Sequence, residues 1–278
     1  MALPVSGRRS PGSFDMARRR AMATQKKVAL VTGGAKGIGL GIAERLQRDG
    51  FALALVDMNG AQLEAAAAGL RDGPVIAITA DVTQRDAVFA AVDRAEAELG
   101  GFDVMINNAG IAQVQPIAEI TEAELDQVHE VNVKGVVWGI QAAAAKFKAR
   151  GHGGSIISAA SIAAHDGYAM LGAYCASKFA VRALTQVAAK EFAADGITVN
   201  AYCPGIVGTD MWTEIDARFA ELTGAAKGAT YDAFVKSIAL GRSETPEDVA
   251  GLVSFLAGPD SAYMTGQCVI IDGGMVYR

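Results

Sequence analysis

The feature that most narrows the fold is the run Thr32-Gly33-Gly34-Ala35-Lys36-Gly37-Ile38-Gly39, set between an aliphatic stretch, Val28–Thr32, and a segment of helical period, Ile38–Arg48. Glycines at 33, 37 and 39 let a chain turn tightly from strand into helix and bring backbone N–H groups and the helix N-terminus against a pyrophosphate. The spacing is G-x-x-x-G-x-G rather than G-x-G-x-x-G, and alone such a turn could be an ordinary strand-to-helix connection. Asp57 adds a second requirement. It closes another aliphatic stretch, Ala52–Asp57, 18 residues after Gly39, where a carboxylate can accept hydrogen bonds from adenosine ribose hydroxyls. Strand, glycine loop, helix, strand and acid together predict dinucleotide binding.

The alternation continues. Val75–Ala80, Val104–Asn107, Ser155–Ser158, Thr198–Tyr202 and Cys268–Ile271 read as further strands, separated by Ala-rich segments of helical period. Seven strands in βαβ units predict an α/β fold, a single Rossmann-type doubly wound domain over residues 22–278 whose seven-stranded parallel sheet carries helices on both faces. Residues 208–240, with Trp212, Phe219, Tyr231 and Phe234 between helix-like pieces, read as an insertion covering the substrate rather than as a second domain.

Charge removes several function classes. The formal net charge is −5, yet residues 1–21 hold five Arg and one Asp, so the body is more acidic than the total. That body offers no basic footprint for nucleic acid, and no apolar run approaches the ~18 residues of a membrane span. Residues 1–21 lack the apolar stretch of a secretory signal and read as a disordered Arg-rich extension, with a transit peptide or a polyanion-binding arm as alternatives. Cys175, Cys203 and Cys268 are odd in number and widely spaced, which favours neither a disulfide framework nor a metal site and fits a cytoplasmic protein.

Asn107-Asn108-Ala109-Gly110 follows the fourth strand, Ser161 follows the fifth, and Tyr174-x-x-x-Lys178 opens a helix. With these motifs the chain resembles the short-chain dehydrogenase/reductase family over residues 26–278. The resemblance implies that Asn132 completes a catalytic tetrad with Ser161, Tyr174 and Lys178. It also implies cofactor contacts from Gly33, Lys36, Gly37, Ile38, Gly39 and Asp57 at the phosphates and ribose, and from Asp81 and Val82 at the adenine. Pro204, Gly205, Val207 and Thr209 would hold the nicotinamide end, and Asn108, Ala109, Gly110, Tyr174 and Lys178 are further cofactor contacts.

The chemistry can be argued from the residues themselves. Positions i and i+4 share a helix face, so Lys178 can sit beside the Tyr174 hydroxyl and favour its anion, lowering a phenol that ordinarily titrates near ~10. Tyr174 would then exchange a proton with the substrate oxygen while hydride moves to or from carbon, and Ser161 would hold that oxygen. Asn132 could support a water chain from Lys178, or could instead cap or kink a helix. His165 could line the pocket or lie at the surface, and Cys175 reads as packing. Asp57 favours NAD over NADP, because it would repel a 2′-phosphate that Lys36 would otherwise attract.

Local segments narrow the resemblance to acetoin (diacetyl) reductases, also called 2,3-butanediol dehydrogenases: Lys134-Gly135-Val136-Val137-Trp138-Gly139, Ala201-Tyr202-Cys203-Pro204-Gly205, Met211-Trp212 and Ile271-Asp272-Gly273-Gly274-Met275. Ser161-Ile162-Ala163-Ala164 and Tyr168 resemble the branch giving the S configuration. Ile162, Tyr168, Met211 and Trp212, with Ser161, are the substrate-contact candidates, and their uncharged side chains suit a small neutral carbonyl or alcohol. A homotetramer is the expected assembly. A polyol, sugar, steroid or 3-oxoacyl thioester remains an alternative substrate, and a noncatalytic NAD-binding sensor an alternative function.

Overall fold

The structure is a computed structural model that describes residues 26–278, so the extension expected over residues 1–21 lies outside it. Its strands are β1 (Val28–Thr32), β2 (Ala52–Asp57), β3 (Val75–Thr79), β4 (Val104–Asn107), β5 (Ser155–Ala159), β6 (Thr198–Pro204) and β7 (Cys268–Ile271). All pair in parallel, in the order β3-β2-β1-β4-β5-β6-β7. Each expected strand is present. β6 runs on to Pro204, because Cys203 and Pro204 still pair with Ile270 and Ile271.

The aliphatic runs form a sheet buried on both faces because alternate side chains feed different cores. Leu30, Met105, Ile156 and Val199 point to one side, against α3 (Arg85–Leu99), α5 (Gly135–Arg150) and α6 (Gly172–Phe192). Val31, Leu53, Ile106 and Tyr202 point to the other, against α1 (Gly37–Arg48), α2 (Gly60–Gly69) and α9 (Pro246–Ala257).

Between β4 and α5 the chain forms α4 (Glu122–His129), opened by a Thr121–Glu124 capping box. It then passes through one π-helical turn, Glu130–Lys134, before α5 begins. After β6 come α7 (Asp210–Thr223) and α8 (Ala229–Lys236), the helical pieces expected within 208–240. Asp216 of α7 fastens them together, its carboxylate accepting from the N–H groups of Gly228, Thr230 and Tyr231 at 2.5, 3.1 and 3.0 Å. Those N–H groups hold its carboxyl below the usual range.

Strand order reverses between β1 and β4. In an open parallel sheet that reversal leaves a crevice beyond the carboxyl ends of the two strands, the place where ligands bind.

Candidate active site

Thr32 ends β1 at this crevice, and the turn into α1 uses Gly33 at φ 64° and Gly37 at φ 56°, a left-handed backbone that side chains disfavour. Gly39 meets a closer limit. A Cβ there would lie 2.1 Å from the Gly33 carbonyl oxygen, so only hydrogen fits between loop and helix. Lys36 precedes α1 without a side-chain capping bond, and the first turn holds no acid. The first N–H groups of α1 are therefore free to meet an anion, which fits a dinucleotide pyrophosphate.

Asp57 lies at the adjoining strand end. Its carboxylate accepts from Ala35 N–H at 3.3 Å and Asn59 N–H at 3.0 Å, which ties β2 to the glycine loop. Lys36 is not free: its Nζ pairs with Asp210 of α7 at 3.0 Å, with both side chains mostly in solvent. Thr209 faces the loop from the same side, its Cγ2 3.6 Å from the position a Gly37 Cβ would take.

Asn108 was expected to touch the cofactor, but its side chain is fully committed to the protein. Nδ2 donates to the carbonyls of Thr32 and Gly33 at 2.9 and 3.2 Å, and Oδ1 accepts from the Tyr202 hydroxyl at 2.8 Å. The Thr32 hydroxyl accepts in turn from Asn108 and Ala109 N–H at 3.0 and 3.1 Å. Asn108 thus shapes the loop, and its side chain has no donor left over. Asp81 accepts from Thr83 N–H at 2.9 Å, and Val82 packs where a Gly135 Cβ would lie.

On the neighbouring strand end, Ser161 opens a single 3₁₀ turn, Ile162–Ala164, with its hydroxyl accepting from Ala163 N–H at 3.1 Å. Tyr174 and Lys178 lie one turn apart at the start of α6, and a hydrogen bond joins the Tyr174 phenol to Ser161. Lys178 is buried and donates to the Ala159 carbonyl at 2.8 Å.

Asn132 sits inside the π-helical turn, wholly buried. It accepts from Ile111 N–H and donates to Ile111 C=O, both at 2.9 Å, and donates to Ser177 Oγ at 3.0 Å. The extra residue in that turn frees the side chain to reach across to the loop after β4, so the helix distortion and the buried amide are one device. A Cβ on Gly110 would lie 3.3 Å from Asn132 Oδ1 and 3.5 Å from Lys178 Nζ, so both face the same small space.

Over this cluster lies an apolar layer. Val114, Ala163, Leu171, Cys175 and Ile215 form its buried part, with Tyr168, Tyr174, Met211 and Trp212 packed against it. The Trp212 ring lies 5.9 Å from that of Tyr231 and 5.2 Å from that of Phe234, and Tyr168 is 6.1 Å from Phe234. Ile162 is buried in the turn after Ser161. His165 is engaged elsewhere, its Nδ1 accepting from the Arg182 guanidinium at 3.2 Å.

Sequence comparison decides the family: the short chain dehydrogenase model matches residues 27–219. The chain belongs to the short-chain dehydrogenase family. It is 52% identical over 257 residues to an L-2,3-butanediol dehydrogenase of Corynebacterium glutamicum, covering 91% of this chain and 99% of that one. It is 54% identical over 257 residues to a diacetyl reductase [(S)-acetoin forming] of Staphylococcus aureus, covering 92% and 100%. Among solved structures, a short-chain type dehydrogenase/reductase from Mycobacterium marinum superposes with a TM-score of 0.81 at 35% identity, covering 90% of this chain and 96% of that one. Levodione reductase gives 0.84 at 31%, covering 90% and 97%. This short-chain dehydrogenase is accordingly an oxidoreductase acting on CH–OH and C=O groups with a nicotinamide cofactor.

The electrostatics of the dehydrogenase differ from the sequence expectation at one point. Lys178 was expected to draw the Tyr174 phenol down from its ordinary value, yet burial pushes it up to about 12, against a smaller opposing pull from the Ser161 hydrogen bond. The reason is that both groups have lost water, and burial also pushes Lys178 down to about 8. In the protein alone Tyr174 is therefore a protonated phenol at neutral pH. Tyr168 is likewise pushed up to about 12 by burial, so the apolar layer carries no charge there.

Ser177, Thr32 and Tyr202 brace the candidate site through hydrogen bonds but were not singled out as site residues in the sequence. Ser177 donates to the Tyr174 carbonyl at 2.7 Å while accepting from Asn132, which joins the π-helical turn to the start of α6. Nothing in the sequence marks it. Thr32, standing directly before the glycine pair, was the one residue with a local signal.

Proposed function

We propose that this chain is an NAD(H)-dependent reductase of small vicinal diketones and ketols, taking diacetyl to acetoin and acetoin to 2,3-butanediol reversibly. The observation that carries this reading is the Ser161–Tyr174–Lys178 cluster beneath an uncharged layer containing Tyr168, Met211 and Trp212. Such a pocket stabilises a small neutral carbonyl and would leave a carboxylate without a partner. The butanediol and diacetyl activities of the relatives lend it support.

Gly33, Gly37, Ile38, Gly39 and Asp57 would hold the dinucleotide's phosphates and ribose, with Asp81 and Val82 at the adenine. Ala109, Gly110, Lys178, Pro204, Gly205, Val207 and Thr209 would hold the other end. When bound, the nicotinamide supplies or accepts the hydride. Tyr174 donates its phenol proton to the substrate oxygen during reduction, and Ser161 fixes that oxygen by hydrogen bond. Lys178 returns a proton toward Tyr174, and Asn132 keeps the loop after β4 in place beside it. Asp57 points the preference to NAD, and Asp210 occupies the Lys36 cation that a 2′-phosphate would need.

Helices α7 and α8 would cover the substrate, and α5 and α6 would pair copies into a homotetramer. Phe179 and Val187 on α6 are 42% and 52% exposed, apolar surface that such pairing would bury. Following NADH absorbance over a panel of diacetyl, acetoin, a polyol and a 3-oxoacyl thioester tests the function. Diacetyl and acetoin should turn over fastest; inert diketones beside a readily reduced thioester would overturn the substrate assignment.

A further inference from the structure

The segment Pro204–Gly208 leaves β6 at the crevice, and one residue grips it at several points. Glu244 donates its N–H to the Ile206 carbonyl at 2.8 Å, and its own carbonyl accepts from Gly208 N–H at 2.9 Å. Its side chain then reaches back, with Oε2 accepting from Gly205 N–H at 3.0 Å. That N–H is shared, since it also donates to the Ile271 carbonyl at 3.0 Å.

The carboxyl is poorly satisfied for its burial. Glu244 is only 7% exposed, and its Oε1 has no hydrogen-bond partner. A surface carboxylate would find water in that position. Glu244 lines a cavity of about 230 Å³ together with Leu240, Arg242, Asp248 and Asp272. Both acids are already engaged: Asp248 takes a bidentate contact from Arg242, at 2.7 and 2.9 Å, and Asp272 accepts from the N–H groups of Gly274 and Val276.

Resting on the reading that Gly205 and its neighbours hold the nicotinamide end, we propose that Glu244 is a positioning residue whose charge state biases this site between oxidised and reduced cofactor. The argument is electrostatic. The oxidised ring is a cation and the reduced ring is neutral, so a carboxylate buried behind Gly205 favours the first, whereas a neutral carboxyl is indifferent. Burial pushes Glu244 up to about 8; Asp248 and Asp272 push the same way, while Gly205 N–H and Arg242 oppose them. Arg242 does little because Asp248 already holds it. Glu244 therefore changes charge within the range in which a dehydrogenase works, and alkaline conditions shift the site toward the oxidised form.

The test is binding, not turnover. Kd for NAD+ and for NADH is measured by fluorescence titration from pH 6 to 9.5, for wild type and Glu244→Gln, which keeps an acceptor for Gly205 but cannot ionise. Lys178 also titrates here, so the comparison between proteins carries the result. In wild type, the ratio of NADH Kd to NAD+ Kd should rise across this range by about threefold or more beyond any rise in the variant. A purely structural Glu244 would weaken both cofactors alike and leave the two pH profiles parallel, which overturns the proposal. Asp248→Asn gives a second arm: it frees the Arg242 guanidinium to face Glu244, so the wild-type step should move to lower pH. An unmoved step also overturns it. If wild type binds neither dinucleotide, the nicotinamide reading of the crevice has failed first, a result distinct from parallel profiles.

Discussion

The Lys178 ammonium lies 5.5 Å from the centre of the Tyr174 ring, over its face, and is anchored by the Ala159 carbonyl rather than by the phenol. Lysine and tyrosine thus act on a shared space without bonding each other. Replacing Tyr174 by Phe keeps the ring and removes the proton donor. The turnover number kcat should fall by ~10²–10⁴-fold while NADH affinity changes little. Lys178→Ala should lower kcat and also weaken NADH, and the double variant should be little worse than the worse single one. Stopped-flow turnover and NADH Kd for the three proteins check this. More than about a tenth of wild-type kcat in folded Tyr174→Phe would mean another group is the acid.

The buried phenol sets the direction of the pH dependence. Reduction needs Tyr174 protonated, and with the phenol pushed up to about 12 that form persists through neutral pH. Lys178, pushed down to about 8, loses its charge above that value, so the reduction rate should hold between pH 6 and 7.5 and decline beyond. Alcohol oxidation needs the phenolate and should climb with pH over the same interval. Rate profiles in both directions, in one mixed buffer, read the two slopes; reduction that peaks near pH 9.5 contradicts the assignment.

How much of this was legible in the sequence depends on the range of the interaction. β1, β2 and β4 were readable to the residue because a strand buried on both faces must be largely aliphatic, and the edge strand β7, though only half-buried, keeps an aliphatic run of its own. Tyr174 and Lys178 were readable because one helical turn is a local geometry. The raised phenol was not, since it comes from burial, which only the folded chain creates. The part the Asn108 side chain plays in shaping the loop was not legible for a similar reason: Tyr202, which completes its hydrogen bonding, lies 94 positions away. Glu244 carries no local signal in the sequence, and only the fold turns its side chain inward.

Cofactor preference should follow Asp57. NADH should be used over NADPH by at least about tenfold in kcat/KM, and Asp57→Ala should shrink the gap. Asp210→Asn releases Lys36 from its ion pair and should improve NADPH use, by no more than about fivefold because both partners are largely solvent-exposed. Equal use of both cofactors by wild type would mean Lys36 outweighs the acid.

Two glycines make a matched pair of probes. Gly39→Ala drives a methyl into the Gly33 carbonyl and should cost about 1–3 kcal/mol and abolish dinucleotide binding. Gly69→Ala, at the end of α2 with nothing within 4 Å, should raise stability by about 0.4–1 kcal/mol. Denaturant melts with NADH titrations separate them. Unimpaired binding in Gly39→Ala would show that the loop can open without loss.

Assembly is read by mass. Four copies of a 28.7 kDa chain give about 115 kDa, the mass expected by light scattering for a closed homotetramer. A stable species of single-chain mass would leave Phe179 and Val187 facing water and contradict the proposed pairing.

The Thr32–Asn108–Tyr202 chain crosses β1, β4 and β6 and leaves no spare donor on its central amide. Changing Thr32 leaves the N–H groups of Asn108 and Ala109 without their acceptor, changing Tyr202 leaves Asn108 Oδ1 without its donor, and changing Asn108 leaves the Tyr202 hydroxyl and two loop carbonyls unpaired, so each single substitution should cost about 1–3 kcal/mol. Directed evolution of this scaffold can therefore vary the apolar layer over the substrate position by position. It should inherit these three residues as a block, because randomising them independently loses stability of that size at each position.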